Sequence, residues 1–250
     1  MKKTILFITL GLLLNACTKD KEQYYNDLGK GKLQLSWELK NNTTPIGIEQ
    51  SFETIKNYNV KFSALKFYLS DIYAIKEDNS KIYVKDVYLG DLNTSDKQII
   101  SNYLPQGKYK GFGIAFGLPK QLNGKGAVKT PAEYPEKNPL HPNKEMFWTW
   151  SEGYQFVKLE GQLDTAQNNN FNTSFIYHLA TNEMYRTVFI AKPFEITAQN
   201  TSQVLFTLDL ATLFGNNLTV NVPNNPINQS GVTDLANANN FMDTFVKSFK

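Results

Sequence analysis

A seven-residue stretch, Leu33-Gln34-Leu35-Ser36-Trp37-Glu38-Leu39, alternates apolar and polar side chains without a break. Successive side chains on a strand point to opposite faces, so this run predicts a strand with Leu33, Leu35, Trp37 and Leu39 on its buried face. Residues 59–62, 65–75, 82–84, 174–179, 188–190 and 204–210 are likewise rich in β-favouring side chains. Turn chemistry separates many of them, as at Glu77-Asp78-Asn79-Ser80 and Pro105-Gln106-Gly107. Strands at this spacing, without helical patterns between them, predict an all-β fold, a β-sandwich of mostly antiparallel strands with long loops. Leu235, Ala238, Phe241, Met242, Phe245, Val246 and Phe249 recur at helical spacing behind Thr233 or Asp234 as N-cap. They predict one C-terminal helix over about 234–249.

The start of the chain bears on location. Lys2 and Lys3 precede an apolar run over residues 5–14, too short to span a bilayer as a helix. It leads into Leu14-Asn15-Ala16-Cys17, which resembles the lipobox of bacterial lipoproteins and holds the only cysteine. That pattern predicts a signal peptide over residues 1–16 and a lipidated Cys17, acylated as with palmitate, anchoring the chain to the outer membrane. Thr18-Lys19-Asp20-Lys21-Glu22 resembles the surface-export signal of lipoproteins of Bacteroidetes type, so the expected address is the cell surface. Residues 17–31 read as the anchor and a flexible tether, and residues 32–250 as one domain. Loss of Lys2 and Lys3 with the signal would leave 24 basic against 23 acidic side chains. No basic cluster appears, which argues against nucleic acid as a partner.

Residues 146–161, Met-Phe-Trp-Thr-Trp-Ser-Glu-Gly-Tyr-Gln-Phe-Val-Lys-Leu-Glu-Gly, hold two of the three tryptophans. Alternation predicts a hairpin turning at Ser151-Glu152-Gly153, with Met146, Trp148 and Trp150 as an apolar wall. On the return strand Tyr154, Phe156, Lys158 and Glu160 share a face, and the last two form a candidate charge pair. Between Pro119 and Lys144, Pro131, Pro135, Pro139 and Pro142 predict a long external loop carrying His141.

Chemistry-bearing patterns are few. Gly-x-Ser-x-Gly and phosphate-cradling loops do not occur, and the one cysteine is assigned to lipid, so no enzymatic activity is expected. His141 and His178 are the only imidazoles. A zinc or copper site ordinarily takes more than one nitrogen or sulfur ligand, and both remain metal candidates on that ground.

Four stretches together resemble the MbnP family of methanobactin-associated, copper-protein-related β-domains: residues 62–72 (Phe-Ser-Ala-Leu-Lys-Phe-Tyr-Leu-Ser-Asp-Ile), 104–109 (Leu-Pro-Gln-Gly-Lys-Tyr), 146–161 and 175–179 (Phe-Ile-Tyr-His-Leu). The resemblance implies copper as cofactor, bound in characterised relatives by two histidines and a kynurenine made from tryptophan by a dihaem enzyme. It places His178 at one ligand position. Trp37 stands where relatives carry a first-strand histidine, and Trp37, Trp148 and Trp150 are the candidates for a modified or aromatic site. Implied partners are a dihaem peroxidase-like enzyme or an outer-membrane copper-uptake system. The alternative is a non-metal surface module that binds a glycan or a protein through the aromatic hairpin and the proline-rich loop.

Overall fold

The computed structural model describes residues 29–95, 97–149, 152–218, 221–229 and 234–250. Cys17, the tether up to residue 28, Trp150, Ser151 and Thr233 lie outside the described residues.

Two sheets pack face to face. The smaller has β1 (Lys30–Asn41) at its centre, flanked by β6 (Gln98–Pro105), β13 (Thr201–Asp209) and the short β2 (Thr44–Pro45). Leu33, Leu35, Trp37 and Leu39 are all buried and the residues between them are not, as the alternation requires. The β1–β13 pairing is parallel over nine positions, from Lys32↔Thr201 to Lys40↔Asp209. A parallel neighbour cannot be reached by a hairpin, which explains why so much chain lies between the two strands.

The larger sheet is built on β4 (Asn59–Lys76), 18 residues long. Residues 59–67 of β4 pair with β9 (Gly153–Asp164), residues 69–76 with β7 (Gly107–Phe116), and residues 66–75 with β5 (Lys81–Asp91). Because the β5 register overlaps both others, β7 and β9 meet end to end along one edge of β4, with β5 along the opposite edge. The two separate sequence segments expected at 59–62 and 65–75 are thus one strand. A bulge between Ser70 and Tyr73, with φ of 47° at Asp71, shifts the register of both neighbouring ladders. Outward from this seam come β10 (Thr173–Ala180) and β14 (Ile227–Gln229) beyond β9, and β11 (Arg186–Ile190) and β12 (Phe194–Ile196) on β7. The remaining short strands, β3 (Ser51–Glu53) and β8 (Phe147–Thr149), pair with β4 and β9.

Aromatic side chains fill the space between the sheets. Trp37 meets Phe67 edge-on at 4.9 Å, and Phe206 meets Phe112 at 5.4 Å. After a single-turn helix α1 (Leu210–Leu213), the C-terminal helix α2 (Leu235–Ser248) packs Phe245 on Phe67 at 5.7 Å, and Phe249 just beyond it on Phe116 at 5.1 Å. Asp234 is its N-cap and accepts a hydrogen bond from the Asn237 amide.

The proline-rich segment is external, as expected, and folds back onto the domain. It lies over the outer face of the larger sheet, where the hydroxyls of Tyr68 and Tyr154 donate to the carbonyls of Pro139 (2.8 Å) and Leu140 (2.6 Å). That cover buries β9 on both faces from Gly153 to Val157, which removes the alternation expected of the return strand. The expected apolar wall also changes: β8 has three residues, and a register shift between Phe147 and Thr149 breaks its alternation. Met146 is fully buried, Phe147 packs on Tyr154 at 5.3 Å, and Trp148 is only half-buried.

Candidate functional site

Phe175, Tyr177 and Leu179 of β10 point into the core, so His178 between them faces outward. Its cross-strand partner is Lys158 of β9, and Glu160 lies diagonally, opposite Ile176. The ring Nε2 of His178 lies 2.7 Å from Glu160 Oε1, and Lys158 Nζ approaches the same oxygen at 3.5 Å. The expected Lys158–Glu160 pair therefore forms and extends to an imidazole. Trp148 completes the cluster, edge-on to His178 with ring centroids 6.0 Å apart.

Burial is the largest influence on His178 and lowers its pKa; the hydrogen bond and charge of Glu160 oppose it, and Lys158 acts with burial. The net direction is downward, so the ring is neutral at neutral pH. A carboxylate only accepts hydrogen bonds, so Nε2 carries the proton and donates to Glu160, leaving Nδ1 as the ring's lone pair. Histidines that bind metals commonly have their second nitrogen held by a carboxylate in this way, which fixes the tautomer and raises ligand basicity. A neighbouring row of charge extends across β4: Lys66, opposite Lys158, reaches the Lys144 carbonyl at 3.1 Å, Glu145 at 3.4 Å and Asp91 at 3.7 Å. Beside Glu160 opens a shallow cleft of about 310 Å³, also lined by Glu49 and Lys61.

The other candidates lie apart from this cluster. Trp37 is in the inter-sheet core, where its Nε1 donates to the Tyr88 hydroxyl at 2.8 Å. Its neighbour Phe67 pairs with Val157, whereas His178 pairs with Lys158, the next residue along β9. Consecutive residues face opposite ways, so Trp37 and His178 are on opposite sides of the larger sheet. His141 caps a one-turn 3₁₀ helix (Pro142–Lys144), and its Nδ1 accepts from the Asn143 amide at 3.2 Å. Glu160 is the partner of His178 that the sequence alone does not display. The only available signal was its place in the Lys158–Glu160 pair, because the diagonal contact depends on strand register.

Among the described residues, no group of three or more His, Cys, Asp or Glu side chains is set to hold a metal ion. One imidazole with its carboxylate fits a single ligand position. The described residues do not fit the two-histidine copper site that the resemblance implies.

Residues 30–233 match the family model for MbnP. The chain belongs to the MbnP family. A solved structure, MbnP from Methylosinus trichosporium, superposes with a TM-score of 0.52 over 81% of this chain and 82% of that one at 14% identity. At that identity the likeness establishes a shared fold. No curated protein matched the sequence. The MbnP match ends before helix α2 begins at Leu235.

Proposed function

We propose that this MbnP-family chain is a lipid-anchored, surface-exposed outer-membrane protein that handles copper at the cluster around His178, without catalysing a reaction of its own. The observation that supports it is the juxtaposition of a neutral imidazole, its tautomer fixed by Glu160, with the half-buried ring of Trp148. Family membership supports a copper-related role in general. The anchor rests on the sequence around Cys17, and a dihaem peroxidase-like enzyme or a copper-uptake system remains the proposed partner.

The test is metal content of the purified protein after exposure to Cu(I) and Cu(II), with His178→Ala as control. Stoichiometric copper that is lost in the variant is expected; no binding, or binding indifferent to the substitution, overturns the reading. Intact-protein mass spectrometry of native material supplies a second readout, since oxidation of one tryptophan to kynurenine adds oxygen and removes carbon. A second reading, a non-metal binding module, draws on the exposure left on Trp148.

A further inference from the structure

A different part of the larger sheet carries an unassigned cleft. One row of paired residues crosses four strands: Phe189 of β11, Gly113 of β7, Tyr73 of β4 and Tyr83 of β5. Directly paired residues face the same way, so three rings stand on one surface with a glycine between them. Phe189 is 52% exposed and Tyr83 44% exposed, and they belong to the same row of rings, not to scattered positions. Tyr73 and Tyr83 meet edge-on at 6.1 Å, which braces the Tyr73 ring. The backbones at Phe189 and Tyr73 are two strands apart, about 10 Å. Van der Waals contact on both sides of an inserted ring takes about 7–8 Å. The space between them is part of a cleft of about 570 Å³, also lined by Asp71, Lys81 and Tyr185.

The polar groups define what fits. At one end Asp71, held in a left-handed conformation by the β4 bulge, accepts a hydrogen bond from the Tyr185 hydroxyl at 2.8 Å and has no cationic partner among the described residues. Toward the other end stand Lys81, opposite Ile75, and Lys110, whose ammonium lies 5.7 Å from the Phe189 ring centre and bonds to Asn79. Neither lysine forms an ion pair with a carboxylate among the described residues. A cleft with apolar walls, a hydroxyl-accepting carboxylate and unneutralised ammonium groups complements a molecule with apolar faces, a hydroxyl rim and negative charge. A pyranose ring has CH faces and a hydroxyl rim, and a uronate adds the charge. We infer that this cleft binds an acidic glycan, a sugar ring lying between Phe189 and Tyr73 over Gly113 and a uronate carboxylate directed to Lys81 and Lys110. This reading is independent of copper and of the His178 cluster.

The test is calorimetric titration of the full-length protein in detergent with a hexasaccharide of alternating glucuronate and N-acetylglucosamine, and with neutral cellohexaose. Phe189→Ala removes an exposed wall and is expected to weaken binding about 10-fold. At Gly113 an added Cβ would meet only Ile75 Cδ1, at 3.4 Å, so Gly113→Val is expected to fill the floor and abolish binding while the melting curve stays cooperative. Lys81→Gln is expected to weaken the acidic sugar about 3-fold, an exposed charge being worth little more, and to reduce its salt dependence. The inference is overturned if neither sugar binds, if binding is indifferent to Phe189→Ala, or if cellohexaose binds as tightly as the acidic hexasaccharide.

Discussion

At the scale of single residues, His178 ties chemistry to stability. Its pKa in the folded protein is lowered, mainly by burial, from an unfolded value of about 6.5. A group that resists protonation when folded contributes stability above the unfolded pKa and loses it as pH falls toward the folded one. Denaturant unfolding from pH 7.5 to 5 is therefore expected to show the wild type losing more stability than His178→Gln, with the divergence beginning near pH 6.5. Parallel curves would show that burial does not set the state of this ring. Trp37 poses a different question, whether its position is a vacated ligand site. Placed in the inter-sheet core behind the larger sheet, a histidine there faces away from His178. Trp37→His is expected to cost about 3 kcal/mol, as large-to-small core changes do, and to leave copper content unchanged. Additional bound copper in that variant would contradict the placement.

At the scale of elements, the junction where β7 and β9 meet on the edge of β4 depends on Gly117. Its φ is +95°, and an added Cβ would come within 2.2 Å of the Phe156 ring. Gly107 also has positive φ, +132°, but open space around it. Gly117→Ala combines backbone strain with overpacking and is expected to cost about 3 kcal/mol, whereas Gly107→Ala carries the strain alone, about 1 kcal/mol. Thermal melts of the two variants check this, and equal losses would show that the contact with Phe156 relaxes freely. The junction also marks where sequence reading stopped. Alternation exposed β1 because one of its faces is half-solvated, and a period of 3.6 exposed α2 because one of its faces is apolar. The start of β9 lost its alternation because the proline-rich segment buries the second face, and the single span of β4 was hidden by its bulges. His178 could be named as a candidate from its motif alone. Its Glu160 contact and its separation from Trp37 are consequences of register, which one sequence does not display.

At the scale of the whole molecule, the two sheets leave an opening that helix α2 closes. Phe245 and Phe249 insert against Phe67 and Phe116 of the larger sheet, and Phe241 stacks on Tyr177 at 4.5 Å. The chain end is fastened as well: Thr207 and Lys250 exchange two backbone hydrogen bonds of 2.9 Å, which attach the residues after the helix to β13. Helix α2 lies beyond the part of the chain that matches the family, so the matched region alone lacks this cover. Burial of three phenylalanine side chains is worth about 2–3 kcal/mol each, together comparable with a typical domain stability of about 5–15 kcal/mol. Ending the chain at Asp234 is accordingly expected to abolish cooperative thermal unfolding and to expose the Phe67 and Phe116 surface to a hydrophobic dye. The triple substitution Phe241→Ala, Phe245→Ala and Phe249→Ala, which keeps the chain length and the terminal strand contact, is expected to lower the melting temperature steeply. A shortened chain that melts cooperatively near the wild-type temperature would mean that the sandwich closes on itself and that the helix is an appendage to it.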